Sequence, residues 1–158
     1  MRAFILKYWL GVALLFAFFY WEQSPLSAIN YIQTNLTVFL TSLTLPIEMM
    51  SGHEILISSN YMLVIEKACN AMVPYLLFLA SILAFPSSIE HKIKWIVIGY
   101  IMIVIINIFR IWLVTQFVLN SRDSFSLAHD YIGNMILIVA GLVLFVVFVK
   151  SRPIRLHL

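Results

Sequence analysis

The sequence predicts an all-α polytopic membrane protein with four transmembrane helices, an interfacial amphipathic helix and a small extracytoplasmic hairpin. Two observations predict this class. Hydrophobic residues make up 63% of the 158 residues and charged residues only 11%, whereas a soluble domain carries about a quarter charged residues. In addition, several runs reach the ~18 apolar residues that a spanning helix needs. The length suits a single membrane domain over residues 1–158.

The four predicted spans cover residues 4–21, 70–86, 95–119 and 131–149. The first begins basic and then turns apolar like a signal peptide, but no small-residue cleavage site follows, so we interpret it as a retained helix. In the second span, Pro74 falls in the first turn, where its missing N–H costs little. Residues 90–94 and 120–130 are polar and are expected to be loops.

Residues 22–69 form the predicted extracytoplasmic segment. From Leu26 to Leu43 the apolar residues recur at steps of three and four with polar residues between them, which is the period of an amphipathic helix. Because a helix with a polar face is not expected to be surrounded by lipid, we expect it on the outer leaflet, with a fifth span as the alternative. Residues 54–58 and 61–65 predict a hairpin around Ser58-Ser59-Asn60.

The positions of the charges predict the orientation. Seven basic residues fall on one side of this layout: Arg2, Lys7, Lys92, Lys94, Lys150, Arg152 and Arg155. That side is the cytoplasm by the positive-inside rule, so both termini are expected inside. The net charge of +3 is therefore explained by the orientation of the chain in the membrane and does not indicate a nucleic-acid partner. We expect the protein in the cytoplasmic (inner) membrane, in contact with membrane lipid.

This topology places three reactive side chains at the outer face. Cys69 lies at the outer end of the second span, and His129 lies just outside the fourth. Arg110 lies ~22 Å along the third span from Trp95 at 1.5 Å per residue, in the outer part of the membrane. Three separate helices can therefore bring a thiol, a guanidinium and an imidazole to a similar depth.

Arg110 and Cys69 each have an alternative interpretation. An arginine within a span costs ~2.5 kcal/mol or more and so usually marks a functional site, but it could instead reach the outer headgroups as an anchor. A lone cysteine is most often an inert core residue. Here Asn70 can cap the following helix, whose dipole favours a thiolate at Cys69. Asn107 lies one turn before Arg110 on the same face of the helix and can form hydrogen bonds beside it.

A thiol, an imidazole and a guanidinium together fit acyl transfer by a cysteine peptidase or transpeptidase. Cys69 would form a thioester with a peptide carbonyl, His129 would transfer protons, and Arg110 would stabilise the oxyanion or orient the substrate. Either Glu66 or Asp130 could orient His129. The histidine and carboxylate spacing predicts no metal site, and no cofactor is expected.

These residues give the sequence a resemblance to the exosortase/archaeosortase family. The motifs that carry it are Glu66-Lys67-Ala68-Cys69-Asn70-Ala71, Ala84-Phe85-Pro86, Asn107-Ile108-Phe109-Arg110 and His129-Asp130-Tyr131. The resemblance covers roughly Gly52 to Val149, and the short length is most similar to small exosortases such as exosortase H.

The resemblance implies catalytic roles for Cys69, Arg110 and His129. It also implies a substrate class, namely secreted proteins whose C-terminal sorting signal consists of a short motif, a spanning helix and a basic tail. One position departs from the family, which often has glycine where Ala71 stands. If the backbone there needs a positive φ, alanine is a poor fit; if the position is helical, alanine is harmless or better.

A different class of function fits the same residues. In a non-catalytic membrane scaffold or accessory subunit, Arg110 and Asn107 would bind a partner helix and Cys69 would be dispensable. A transporter is not favoured, because four spans with one buried charge offer little of a substrate pathway.

Overall fold

The computed structural model describes residues 2–20 and 26–152. Within these residues, five α-helices and one small sheet form the architecture. The helices are α1 (Arg2–Tyr20), α2 (Leu26–Ser42), α3 (Met72–Ala84), α4 (Ile89–Asn120) and α5 (Asn134–Lys150), and the strands are β1 (Met50–Ser51), β2 (Glu54–Ser58) and β3 (Tyr61–Val64). Residue 21 at the end of the first predicted span, residues 22–25 at the start of the predicted extracytoplasmic segment and Arg155 of the predicted basic tail lie outside the described residues.

Three helical runs of the described residues are long and apolar enough to cross a membrane: Arg2–Phe19, Ile89–Asn120 and Arg122–Lys150. The chain is therefore a helical membrane protein. Helix α3, which corresponds to the predicted span 70–86, has only 13 residues, or about 20 Å of the ~30 Å hydrocarbon thickness. The helix ends at Ala84, and the next residue, Phe85, is extended. Phe85 precedes Pro86, and a proline disfavours helical geometry at the residue before it.

The prediction of a loop at residues 90–94 is wrong. Helix α4 begins at Ile89 rather than at Trp95, because the Ser88 hydroxyl accepts a hydrogen bond from the His91 N–H at 3.4 Å. Such a cap satisfies one of the donors that a helix start leaves unpaired. The second predicted loop, 120–130, is also shorter than expected, because a π-helical stretch over Leu127–Gly133 continues into α5.

Helix α2 has the predicted amphipathic period, but its polar face points into the protein. The buried side chains on this face are Asn30, Gln33, Thr34, Thr37 and Thr41, whereas Ile29, Ile32, Phe39 and Leu43 are exposed. Partners on α4 and beside Cys69, described below, supply the hydrogen bonds that water would otherwise supply. The polar face of α2 is therefore buried against the rest of the protein, and the face that α2 presents outwards is apolar.

The three strands form an antiparallel sheet in the order β1-β2-β3. Strands β2 and β3 occupy the residues for which the sequence predicts a hairpin, and β1 adds a third strand. Ile55 and Ile65 from the inner face are buried against Ile111 of α4. The chain leaves β3 directly toward Cys69, so this packing fixes the height of Cys69 along α4.

At the end of the bundle opposite to Cys69, the end of α3, the start of α4 and the end of α5 lie together. Lys92 Nζ donates to the Leu83 carbonyl at 2.9 Å, and the Arg152 guanidinium donates to the Pro86 carbonyl at 3.2 Å. His91 Nε2 lies 3.1 Å from the Phe148 carbonyl oxygen. Basic residues thus gather at this end, away from Arg110.

We expect Gly99→Ala to destabilise the bundle, because a Cβ at this position of α4 would lie 1.9 Å from the buried ring of Phe78 on α3. Overpacking of this kind costs about 1–3 kcal/mol, which would lower the thermal midpoint of the detergent-solubilised protein. The matched control is Gly141→Ala on α5, where a Cβ meets nothing within 4 Å. Equal midpoints for the two variants would contradict the α3–α4 packing.

Candidate active site

Cys69 ends a 3₁₀ turn (Lys67–Cys69) that precedes α3. Its N–H donates to the Glu66 carbonyl at 2.9 Å, and its side chain is half-buried. Asn70 follows, and its Oδ1 accepts from the Met72 N–H at 3.1 Å. The Asn70 side chain thus satisfies the first N–H of α3, but the N-cap position is Ala71, the helix begins at Met72 and Cys69 lies outside it.

Ala71 adopts the left-handed conformation, with φ 65° and ψ 4°. Among the described residues it is the only one other than glycine with a positive φ. The structure thereby decides between the two alternatives for this position: it is a turn residue that favours glycine and not a helical residue. This turn connects Cys69 to the start of α3. Ala71 itself is buried.

The polar face of α2 holds Asn70 in place. The Asn70 amide nitrogen donates to Asn30 Oδ1 and, at 3.1 Å, to Thr34 Oγ1. Gln33 Nε2 donates to the Asn70 carbonyl at 3.2 Å, and the Tyr100 hydroxyl donates to Gln33 Oε1. Asn70 is only 1% exposed, so these hydrogen bonds lie in a low-dielectric interior. They are stronger there than in water and hold the Asn70 side chain in one orientation.

Arg110 is buried inside the bundle, with 4% of its surface exposed. Its Nη2 donates to Asn134 Oδ1 at 3.2 Å and lies 3.5 Å from the His129 carbonyl oxygen. Gly133 gives the side chain room, because a Cβ there would lie 2.7 Å from Arg110 Nε. This burial is incompatible with the alternative in which Arg110 reaches out to lipid headgroups.

Asn107 links α4 to the cysteine turn. Its Nδ2 donates to the Cys69 carbonyl at 2.7 Å, and the residue is 1% exposed. Asn107 Oδ1 and Arg110 Nε are buried and have no hydrogen-bond partner among the described residues. The amide therefore positions the backbone of Cys69 while Arg110, one turn later, reaches the α5 side.

His129 lies within the π-helical stretch and not in a loop before the last span. Its Nδ1 is 2.9 Å from Asp130 Oδ1, and its ring stacks on Phe125 with centroids 5.1 Å apart. Asp130 Oδ2 also accepts from the Ser126 hydroxyl at 2.9 Å. With Nδ1 engaged, Nε2 is the nitrogen available for proton transfer.

Of the two carboxylates that could orient His129, Asp130 makes the contact. Glu66 is exposed, and no hydrogen bond to its carboxylate occurs within the described part of the chain. Its structural contribution is the backbone carbonyl that accepts from Cys69.

Cys69, Arg110 and His129 line one cavity of about 270 Å³. The rest of its wall is formed by strand β3 and by Ile55, Ile65, Ile111, Val114, Thr115 and Phe125. A second cavity, of about 620 Å³, is lined by Asn107, Arg110 and Asn134 at a polar end and elsewhere mainly by apolar side chains of α3 and α5. Arg110 therefore contributes to the walls of both cavities.

Several residues of this site were not predicted from the sequence. Asn134 contacts Arg110 and donates to the Asp130 carbonyl at 2.9 Å; a polar residue inside an apolar span was the available signal. Asn30 and Gln33 were missed because their face was expected to point to water. Over residues 2–20 and 26–152, no group of three or more His, Cys, Asp or Glu side chains could hold a metal ion.

We expect Ala71→Gly to raise the free energy of unfolding by about 1 kcal/mol, because glycine adopts the left-handed conformation without the penalty that a Cβ imposes. Ala71→Val should lower it, because a β-branched residue is an outlier there. Thermal midpoints in detergent test both changes. A stabilising Ala71→Val would show that the turn does not require this conformation.

We expect Asn30→Ala to destabilise the protein by about 1–3 kcal/mol, because the buried Asn70 amide would lose an acceptor. Ile32→Ala, two residues away on the exposed face of α2, is the matched control and should have little effect on Asn70. The measurement is the thermal midpoint, together with the rate at which a fluorescent maleimide labels Cys69. Unchanged midpoint and labelling in Asn30→Ala would refute the role of α2.

The model of the transmembrane exosortase family (Exosortase_EpsH) matches residues 2–146. The searches of curated proteins and of solved structures give no match. The family match covers most of the chain, including all four predicted sequence motifs and the residues of the cavity shared by Cys69, Arg110 and His129. This chain therefore belongs to the transmembrane exosortase family.

Proposed function

We propose that this chain is a membrane-embedded cysteine peptidase or transpeptidase that cleaves the C-terminal sorting signal of secreted proteins at the outer face of the cytoplasmic membrane. One observation carries the proposal: a thiol, a guanidinium and an imidazole from three separate segments line the same cavity. In a chain with one cysteine, these are the residue types that supply a nucleophile, a base and an oxyanion donor in acyl transfer.

The reaction proceeds in two steps. His129, oriented by Asp130, accepts the proton of the Cys69 thiol, and the thiolate attacks the scissile carbonyl while Arg110 stabilises the oxyanion that forms. When the tetrahedral intermediate collapses, His129 gives the proton to the leaving amine and the acyl group remains on Cys69 as a thioester. Water or an amine then attacks the thioester and regenerates the thiol.

The proposed topology has four crossings, with both termini inside. Lys92, Lys94, Lys150 and Arg152 lie toward the end where α3 meets α4 and α5, which suits the cytoplasmic face. Arg110 lies 21 residues beyond Ile89, about 32 Å along α4 at 1.5 Å per residue, which suits the outer face. Helix α3 returns the chain inward between them; it packs against α1, α4 and α5, so it need not match the full bilayer thickness.

The larger cavity supports a substrate with a spanning helix. Its walls are apolar side chains of α3 and α5, among them Val73, Leu77, Leu137 and Leu142. A hydrophobic helix entering from the membrane would place its outer end beside Arg110, and a basic tail would remain in the cytoplasm. The apolar lining of this cavity supports the proposed substrate class, secreted proteins that end in a short motif, such a helix and a basic tail, through its helix alone.

We expect Cys69→Ala, His129→Ala and Arg110→Ala each to abolish processing, because members of one catalytic unit do not act additively. The substrate is a secreted reporter that carries the C-terminal tail of a protein with this architecture from the same genome, and cleavage is measured as a size shift in membranes. His53→Ala, an exposed histidine in the turn between β1 and β2, is the control and should be active. Processing by Cys69→Ala together with its loss in Arg110→Ala would favour the scaffold.

We expect Asp130→Asn to lower the processing rate at least tenfold, because the amide cannot hold His129 in the required tautomer as a carboxylate does. The matched control is Glu66→Gln, which removes the other nearby carboxylate and should leave the rate near wild type. Both rates are measured with the same reporter at equal enzyme abundance. A larger loss in Glu66→Gln than in Asp130→Asn would show that Glu66, and not Asp130, orients His129.

A further inference from the structure

Strand β3 lies at the edge of the sheet, and the backbone groups on its outer side have no hydrogen-bond partner within residues 2–20 and 26–152. The register pairs Ile55 with Leu63 and Leu56 with Met62, and the Ile65 N–H donates to the His53 carbonyl at 2.8 Å. Because alternate residues of an antiparallel strand direct their N–H and C=O to opposite sides, Leu63 and Ile65 face β2. Met62 and Val64 therefore face away from the sheet.

This free edge borders the cavity that holds Cys69 and His129. All five residues from Tyr61 to Ile65 line that cavity. Successive side chains of a strand point to opposite faces, so a cavity that touches every residue of the run follows its backbone edge. The side chains of Met62 and Val64 are about half exposed, at 50% and 49%.

We propose that the Met62–Val64 edge of β3 is a substrate subsite that binds an extended polypeptide segment as an added strand. This inference rests on the proposed function and specifies how that site takes its substrate. The N–H and C=O of Met62 and Val64 bond to the backbone of the segment, and the scissile carbonyl reaches Cys69, which follows β3 by five residues.

The hydrogen-bonding chemistry of the edge selects an extended peptide. Met62 and Val64 present their donors and acceptors ~6.6 Å apart, which is the two-residue repeat of a strand. A helix has its own backbone groups already paired, and an acyl chain has none, so neither can bond to this edge. Addition of a strand to an exposed edge is a recurrent mode of peptide recognition, in which the main chain provides affinity.

The position of the edge also fits the larger cavity, to whose wall Arg110 also contributes. A substrate whose apolar helix occupies that cavity would have to become extended as it passes Arg110 in order to follow β3. The substrate segment at the cleavage point is therefore extended and not helical.

The first test compares Val64→Pro with Val64→Ala. Proline removes the outward N–H of residue 64 and blocks the edge without removing a bond to β2, and proline is tolerated at strand edges for this reason. Val64→Ala truncates the same side chain and keeps the N–H. With the secreted reporter described above, we expect the proline variant to process about tenfold more slowly than the alanine variant.

The second test detects binding without cleavage and does not depend on how Val64→Pro folds. A photoreactive amino acid replaces Met62 in Cys69→Ala, and the control replaces Leu56, which lies opposite Met62 in the register and is also exposed. We expect position 62, and not position 56, to crosslink to the reporter segment just before its apolar helix.

Equal processing by Val64→Pro and Val64→Ala, together with no adduct at position 62, would overturn the subsite while Cys69-dependent cleavage still stood. Cleavage that persisted in Cys69→Ala would instead overturn the proposed function, and the subsite with it.

Discussion

The buried guanidinium of Arg110 is the constraint on which the structure around Cys69 and His129 depends. A charge in an apolar bundle is tolerated only when protein groups replace the water that it has lost. Here Asn134 and the His129 carbonyl accept from it, and Gly133 leaves space for its stem. The same contacts hold the π-helical stretch against α4, so satisfying the arginine also brings His129 to the cavity wall.

A related constraint explains why α2 is polar inside and apolar outside. Lipid offers no hydrogen bonds, so polar groups at membrane depth must pair within the protein. Asn30, Gln33 and Thr34 pair with Asn70 and Tyr100, and Asn107 pairs with the Cys69 carbonyl from the other side. Cys69, the proposed nucleophile, thus lies on a loop whose neighbouring residues are hydrogen-bonded to two helices, which is the rigidity that a catalytic group needs.

The sequence predicted the helical membrane class, the strand positions of β2 and β3, and the residues that share the cavity, because these depend on local patterns and on topology. It did not predict which way α2 faces, since an amphipathic period does not say whether its polar side meets water or other polar groups. The helical start of α4 at Ile89 was missed because charge was read as a loop signal, whereas the Ser88 cap extends the helix. The conformation of Ala71 could not be predicted, because residue spacing in a sequence does not give backbone angles. The choice between Glu66 and Asp130 as the partner of His129 likewise depends on side-chain geometry.

Covalent catalysis by Cys69 is tested most directly by mass spectrometry of the enzyme after a short reaction with the reporter. We expect one adduct on Cys69, formed by the reporter fragment that ends at the cleavage point and released by hydroxylamine as a thioester is. Reporter cleavage in the absence of any acyl adduct, or with an adduct on a residue other than Cys69, would contradict the account.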